Sequence, residues 1–92
     1  MRRAARRDDN ERGIIEALRA KGCVVVQLSQ PDVPDLMCWS PALDAVVLME
    51  VKESTGRLRP GQLLFHAAWP GAIATVRDVQ QALGAAGFEV NK

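Results

Sequence analysis

The longest strongly apolar segment of the chain limits the fold more than any other feature. Ala45-Val-Val-Leu-Met49 lies inside a predicted strand over residues 44–53, and it is hydrophobic at odd and even positions alike. Successive side chains of a strand point to opposite faces of the sheet, so this pattern is typical of a strand that is buried on both faces. We therefore expect it to be the central strand of a sheet flanked by helices.

The remaining elements follow from the spacing of apolar residues and from the positions of glycine and proline. Residues 8–21 begin with acids and end at Lys21-Gly22, a polarity that suits a helix. Strands are predicted over residues 23–28, 35–39 and 72–76, helices from Pro60 to about Trp69 and over residues 79–86, and residues 88–90 could add a last edge strand. The order α-β-β-β-α-β-α-(β) predicts one α/β domain over residues 8–92, with a central mixed β-sheet flanked by helices.

Positive charge is concentrated at the start of the sequence. Four of the twelve basic residues fall within the first seven positions, namely Arg2, Arg3, Arg6 and Arg7. Residues 8–92 keep eight basic against eleven acidic residues. A basic arm on a slightly acidic domain is common among nucleic-acid-binding proteins, although a solvated terminus that only aids solubility accounts for the charge equally well. We predict that residues 1–7 are a basic N-terminal arm.

The apolar runs also bear on the cellular compartment. Cys23 and Cys38 each lie in such a run, where a small hydrophobic side chain fits, and two cysteines are too few for a disulfide framework. We interpret them as buried thiols of a cytoplasmic protein. The five residues of Ala45–Met49 are far fewer than the ~20 that span a bilayer, and no signal-peptide segment follows Met1. We expect neither secretion nor membrane insertion.

Two charged residues interrupt the apolar pattern of the predicted central strand. One face of that strand carries Val46, Leu48, Glu50 and Lys52. The charges are either an ordinary pair at a strand end that emerges into solvent or part of a site, because unpaired charge on a central strand is costly. A four-residue loop after the preceding strand sets Asp35 opposite Leu48, a six-residue loop sets it opposite Glu50, and a five-residue loop turns it to the other face.

On the Glu50 face, Asp35 would complete a cleft of oxygen ligands beside the fixed positive charge of Lys52. Mg²⁺ prefers oxygen ligands, retains several waters and is typically bound by one or two carboxylates plus substrate phosphate. A metal ion can lower the pKa of a bound water and stabilise the leaving oxygen, while a lysine offsets negative charge on phosphorus. These residue types therefore indicate phosphodiester hydrolysis.

The same residues resemble a known group of nucleases. Pro34-Asp35, followed after fourteen residues by Glu50-Val51-Lys52, is similar to the PD-(D/E)xK nuclease superfamily. The next segment, Gly56-Arg-Leu-Arg-Pro60-Gly-Gln62, resembles the Gly-x-Leu-x-Pro-x-Gln pattern of the VRR-NUC (virus-type replication-repair nuclease) family within it. The short Asp…Glu-x-Lys pattern is unspecific alone, and the second segment at its correct distance makes the resemblance fairly specific. It covers most of the chain and implies a restriction-endonuclease-like fold.

The resemblance implies a role for each matching residue. Asp35 and Glu50 would bind Mg²⁺ or Mn²⁺, with the backbone carbonyl of Val51 as a further ligand. Lys52 would position or activate the attacking water. The expected cofactor is thus a divalent metal ion, and the expected enzyme class is a hydrolase acting on phosphodiester bonds.

Two further implied roles have ordinary structural alternatives. The resemblance makes Gln62 a residue that supports the site, and it makes Glu11 an extra acid that acts directly or through metal-bound water. Gln62 falls at the third position of a predicted helix, where a glutamine can cap nearby backbone. Glu11 falls in a first helical turn, where acids stabilise the helix. The residues by themselves leave both readings open.

Basic residues beside the predicted site are expected to contact DNA. Arg57 and Arg59 flank the predicted loop before the second helix, and we expect them to join the arginines of the arm in binding phosphates. Arg59 also departs from the family pattern, which often has Ser before the proline. A second departure is Asp32-Val33, which stands where the family often has a glycine.

Three other residues that could be functional are interpreted as structural. His66 lies four residues after Gln62 on the same helix face, but a lone histidine on a half-buried helix is more often structural. Trp39 and Trp69 fall at the ends of predicted elements among apolar neighbours, where an indole packs in a core or an interface. With few other aromatic residues in the chain, a surface that stacks single-stranded bases is not expected.

The resemblance finally implies a substrate and an assembly. The VRR-NUC family includes stand-alone phage and bacterial proteins that are dimeric and cut branched DNA. We therefore predict a metal-dependent endonuclease, a homodimer selective for four-way (Holliday) junctions, in the cytoplasm of a bacterial or phage-infected cell. Two alternatives stay open: a non-catalytic DNA-binding or scaffold module with the same fold, and a small interaction domain whose arm binds an acidic partner.

Overall fold

The computed structural model describes residues 9–90 and contains four strands and three helices in that part of the chain. They are α1 (Asp9–Ala20), β1 (Val24–Gln27), β2 (Leu36–Ser40), β3 (Ala45–Val51), α2 (Pro60–Ala68), β4 (Ala72–Val76) and α3 (Val79–Ala85). The predicted element order is confirmed. The predicted basic arm lies outside the described residues. No helix within residues 9–90 is long and apolar enough to cross a membrane.

The strands form one mixed sheet in the order β1-β2-β3-β4. β1, β2 and β3 pair antiparallel, whereas β4 pairs parallel to β3. The parallel pair needs a crossover connection, and α2 supplies it. β3 thus has a neighbour on each side, as predicted for the central strand.

One face of the sheet carries the hydrophobic core. Helices α1 and α3 contact each other, and they contact the edge strands β1 and β4 respectively. The cluster between the helices and the sheet consists of Ile14, Ile15, Leu18, Cys23, Val25, Leu36, Cys38, Val47, Met49, Val76, Ala82 and Ala86. Both cysteines are buried free thiols, as predicted.

The opposite face of the sheet is only partly covered. Helix α2 lies on this side, because its Gln62 hydrogen-bonds to Glu50, whose neighbours Met49 and Val51 pack in the core. Five apolar side chains of β1–β3 remain between 36% and 60% exposed here, and we refer to them as the open face: Val24, Val26, Met37, Trp39 and Val46. The expectation that β3 is buried on both faces is therefore wrong at Val46.

The segment after α3 does not form the edge strand that its alternating pattern suggested. Gly87, at a φ of 91°, lets the chain leave the helix, and the backbone N–H of Phe88 donates to the carbonyl of Leu83. The Phe88 side chain then packs against the core. Because this N–H and side chain already have partners, residues 88–90 lie along the helix end and add no strand to the sheet.

The turn between β2 and β3 decides on which face Asp35 lies. Pairing runs from Leu36 opposite Met49 to Ser40 opposite Ala45, so the turn proper has four residues. The same register pairs Trp39 with Val46, so six residues separate these two, as in the six-residue alternative considered above. Extending the pairing by one residue beyond Leu36 and Met49 sets Asp35 opposite Glu50. Asp35 therefore reaches the Glu50 side of the sheet.

Candidate active site

A cleft of about 360 Å³ opens where β2 begins and β3 ends. One wall is the loop of residues 28–33, which joins β1 to β2. The rest of the lining brings together predicted site residues from three elements and their flanks: Asp35, Glu50, Val51, Lys52, Arg59 and Gln62. The sheet register and the crossover helix thus converge on one polar cavity.

Glu50 is the buried acid of this cleft. Its side chain is only 4% exposed, and one oxygen, Oε2, accepts a 3.0 Å hydrogen bond from Gln62 Nε2. The other oxygen, Oε1, is buried with no hydrogen-bond partner among the described residues. Burial, and then the neighbouring charge of Asp35, raise the pKa of Glu50 from its usual 4.5 to about 8, against the opposing charges of Lys52 and Arg59.

Asp35 is held against the end of β3 by the backbone. The N–H of Val51 donates to Asp35 Oδ2 at 2.8 Å. The backbone of Asp35 is fixed as well, because its carbonyl accepts a hydrogen bond from the N–H of Leu28. A carboxylate anchored in this way has little freedom to move away from Glu50, so the mutual repulsion is built into the site.

Lys52 follows the last residue of β3 and remains near the acids. Its backbone N–H donates to the carbonyl of Val76 at 3.0 Å, which continues the ladder between β3 and β4. Its Nζ lies 4.0 Å from Glu50 Oε2, and its side chain is 16% exposed. The ammonium is therefore next to the carboxylates and still accessible from the cleft.

Gln62 makes a hydrogen bond that fits each of the two alternatives that the sequence left open. Its Nε2 donates to Glu50, and its Oε1 accepts a 2.8 Å hydrogen bond from the backbone N–H of Arg59. The second bond caps the first turn of α2, which compensates for the absence of a serine before Pro60. One side chain thus fixes both the helix start and the position of the buried acid.

The donor set of the cleft fits a hard divalent cation. Glu50 Oε1 is buried, and Glu50 and Asp35 share a side-chain hydrogen bond while Glu50 is protonated and repel each other when both are ionised. A cation would replace the shared proton and remove the repulsion. No group of three or more His, Cys, Asp or Glu residues that could hold a metal is found within residues 9–90. Two carboxylates with water and substrate oxygens are a combination that Mg²⁺ accepts.

Glu11 is not among the residues that line this cleft. It is buried on α1, and its Oε2 accepts a 3.0 Å hydrogen bond from Gln27 Nε2 at the end of β1. Gln27 belongs to the strand that borders the loop of residues 28–33, so Glu11 lies behind that loop on the core side. Its role as an extra acid stays a prediction.

The other predicted residues lie at different distances from the site. Arg59 lines the cleft, whereas Arg57 is exposed and does not. His66 does not line the cleft either, and burial lowers its pKa, which keeps the imidazole neutral. The arginines of the arm lie outside the described residues.

Two residues near the site, Arg77 and Asp32, are not among the predicted site residues. Arg77 donates through Nη1 to the carbonyls of Glu53 and Gly56, and so fixes the turn that follows Lys52. Asp32 lies in the cleft loop and pairs with Arg59. Only tertiary structure brings these partners together, since 27 residues separate the second pair.

Comparison with known proteins agrees with this geometry. No protein-family model and no curated protein match the sequence. A solved structure described as "VRR_NUC domain" superposes with a TM-score of 0.68 at 24% identity, covering 78% of this chain and 84% of that one. The chain has the VRR-NUC fold. At this identity the likeness establishes a nuclease-type fold, and the roles of individual residues in this VRR-NUC-fold domain depend on the contacts described above.

Proposed function

We propose that this VRR-NUC-fold domain hydrolyses phosphodiester bonds of DNA with the help of a divalent metal ion. The observation that carries the proposal is the pair of carboxyl groups, Asp35 and the buried Glu50, that the fold brings together beside Lys52 in one cleft. A purely structural role does not account for this pair, because burial and the neighbouring charge raise the pKa of Glu50 to about 8 and so reduce the stability of the fold at neutral pH. A cation-binding role accounts for the arrangement.

Each side chain would have a separate task. Asp35, Glu50 and the Val51 carbonyl would hold Mg²⁺ or Mn²⁺, which would supply Lewis-acid stabilisation of the reacting phosphate and its water. Lys52 would orient the attacking water and offset charge on phosphorus. Gln62 would keep Glu50 aimed into the cleft.

The predicted role of Glu11 needs its own evidence. One oxygen of its carboxylate accepts a hydrogen bond from Gln27 behind the cleft loop. We propose that Glu11 supports the metal, either directly or through metal-bound water. A Glu11→Gln variant should weaken metal binding less than Glu50→Gln does, as calorimetry with Mg²⁺ would measure.

DNA binding is supported by the place at which the basic arm joins the domain. Asp9 and Asn10, the first described residues, line a common cavity with Glu53, Ser54 and Arg77. This cavity borders the turn after Lys52. The described part of the chain thus begins near the cleft, and we propose that the four arginines of the arm contact phosphates together with Arg57 and Arg59 and so position the substrate.

A homodimer is the assembly that the open face favours. The five side chains of the open face together expose on the order of 400 Å² of apolar surface. This area is similar to that of the largest apolar patch on a typical monomeric protein, and such patches are often binding sites. Leu63 and Leu64 on α2, both more than half exposed, and Trp69 are further exposed apolar side chains, and with the open face they amount to on the order of 700 Å², near the ~800 Å² that each partner buries in a standard interface.

The shape of this surface suits a second copy of the chain. The register places Val24, Trp39 and Val46 in one cross-strand row and Val26, Met37, Leu48 and Ile73 in the next, without a charged residue in either row. Interface centres are depleted of charge in the same way. A two-fold axis would set the α2 of each copy on the open face of the other, so that the same patch serves both partners.

Two clefts related by a two-fold axis match the symmetry of a four-way DNA junction. One cleft can make one cut, whereas a junction must be cut in two strands to be resolved. We therefore propose branched DNA, and four-way junctions in particular, as the preferred substrate. The preference requires the dimer, because only the dimer presents paired clefts at a fixed distance.

The proposed activity is tested with linear, forked and four-way DNA in Mg²⁺, in Mn²⁺ and with a chelator. Cleavage should need the metal, favour the junction and disappear in Asp35→Asn and Glu50→Gln. Glu53→Gln, an exposed acid three residues along the chain, is the matched control and should keep its rate. Metal-insensitive DNA binding without cleavage would instead identify a non-catalytic module with this fold.

The assembly is tested separately by light scattering. Val26→Glu places a charge in the open face, whereas Gln80→Glu adds the same charge to an exposed position of α3 on the other side of the sheet. The first should dissociate the dimer and the second should not. If the wild type is a monomer at concentrations where it makes paired cuts, the proposal that junction preference requires the dimer is wrong.

A further inference from the structure

Asp32 occupies an unusual place in the cleft loop. Its φ is 66°, in the left-handed region where non-glycine residues are uncommon but where Asp and Asn are the best tolerated. Its carboxylate packs against the backbone of Gly61 in the first turn of α2, so closely that a Cβ on Gly61 would overlap Asp32 Cγ. Gly61 therefore leaves room for this carboxylate.

The same carboxylate pairs with Arg59. Arg59 Nη2 lies 3.3 Å from Asp32 Oδ1, and the two side chains are 61% and 49% exposed. Both residues line the cleft that holds Glu50. The positive charge of Arg59 acts on Glu50, because it partly offsets the rise in the pKa of that acid. The Arg59 guanidinium is thus at the site and in contact with solvent, and it is paired with the Asp32 carboxylate of the same chain.

We propose that Asp32 is an internal competitor that holds Arg59 until a phosphate group of DNA replaces its carboxylate. A guanidinium binds carboxylate and phosphate oxygens through the same planar arrangement of donors, so the exchange substitutes one anion for another. The proposal refines the DNA-binding function argued above and depends on it. Asp32 is accordingly a residue that sets affinity, and it takes no part in the chemistry.

The size of the effect follows from the exposure of the pair. Solvent-exposed ion pairs contribute little to stability, and exchange of such a pair should change DNA affinity by about two- to fivefold. Asp32→Asn removes the charge while keeping the size of the side chain and its tolerance of a positive φ. This variant should therefore fold normally and bind DNA more tightly than the wild type.

A double-mutant cycle separates competition from a general charge effect. The wild type, Asp32→Asn, Arg59→Met and the double variant are titrated with a fluorescently labelled DNA duplex without divalent metal, so that no cleavage occurs. The gain from Asp32→Asn should appear only when Arg59 is present. Glu53→Gln, which removes an exposed acid near Lys52, measures the general effect of one lost negative charge in both backgrounds.

Every outcome of the cycle is decisive. A gain that persists in the Arg59→Met background overturns the competition, because charge alone then explains it. Weaker binding by Asp32→Asn shows that the carboxylate is needed to hold the cleft loop in place, which also overturns it. If none of the four proteins binds DNA, the proposed function fails as a whole, whereas binding by all four without the gain removes only the role of Asp32.

Discussion

Replacement of Glu50 by glutamine should stabilise the metal-free protein at neutral and alkaline pH. In the fold, burial and then Asp35 raise the pKa of Glu50 to about 8. The folded protein therefore holds a proton that the unfolded chain releases above its ordinary pKa. Glutamine has the shape of the protonated acid, and its oxygen can still accept the hydrogen bond from Gln62. Glu50→Gln thus fixes the neutral state at every pH.

The sign and the size of the effect follow from proton linkage. Between the unfolded pKa and a folded value of about 8, the folded state binds more protons, so the free energy of unfolding of the wild type falls as pH rises. At about 1.4 kcal/mol for each pH unit, the loss between pH ~5 and pH ~7.5 approaches roughly 3 kcal/mol. That is a large part of the ~10 kcal/mol by which a folded domain is typically stable.

Urea unfolding from about pH 5 to about pH 8.5 in the presence of a chelator measures this difference. The wild type should lose stability across the range, and Glu50→Gln should not. Glu53→Gln, an exposed neighbour, should follow the wild type. Parallel curves for wild type and Glu50→Gln would refute the assignment of a raised pKa to Glu50. Adding Mg²⁺ at high pH should then restore stability to the wild type and leave Glu50→Gln unchanged, because only an ionised site binds the metal.

The remaining predictions concern other parts of the site. Lys52→Ala should lose most turnover and still bind divalent metal, and loss of Mg²⁺ binding by calorimetry would contradict the role given to its ammonium. Deletion of residues 2–7 should weaken DNA binding and make the dependence on salt shallower by up to ~0.9 for each lost phosphate contact, as titrations at several salt concentrations would show. Gln62→Leu removes one hydrogen bond from Glu50 and one from the first turn of α2 and should cost about 1–3 kcal/mol in unfolding experiments, whereas Gln80→Leu on the exposed side of α3 should cost far less.

Local patterns were sufficient to predict the helices and strands, but they did not decide on which face of the sheet Asp35 lies. The β-branched and apolar runs gave the strands, and glycine and proline gave most of the ends. The register of Asp35 was left open among loop lengths, because it depends on the β2–β3 turn. That turn has local bonds, from the N–H of Asp44 to the carbonyl of Ser40 and from the N–H of Ala42 to the Ser40 hydroxyl, and one distant bond, in which the Ser40 hydroxyl donates to the carbonyl of Ala86 at the end of α3. The distant contact, across 46 residues, leaves no local signal in the sequence.

The contacts that shape the cleft wall could not be predicted from the sequence, for the same reason. The two departures from the VRR-NUC pattern, at Asp32 and at Arg59, were separate observations in the sequence, and in the fold they form one ion pair. The position where a glycine is frequent has a left-handed φ, which explains why a glycine would suit it. Likewise, a local reading of Gln62 had to choose between capping and site support, whereas its two amide atoms allow both.

The alternation of side chains along β3 would link the proposed chemistry of the domain to the proposed dimer. Val46 and Leu48 share a face with Glu50, so the strand that ends in the cleft also supplies Val46 to the open face, with the buried Leu48 between Val46 and Glu50. If a second copy packed on the open face, only a few residues of the paired strand β3 would separate the dimer interface from Glu50, and no hinge would lie between them. In such a dimer the spacing of the two clefts would be as fixed as the sheet itself. A selectivity for junction geometry would then arise from the sheet, without any need for the open face itself to contact DNA.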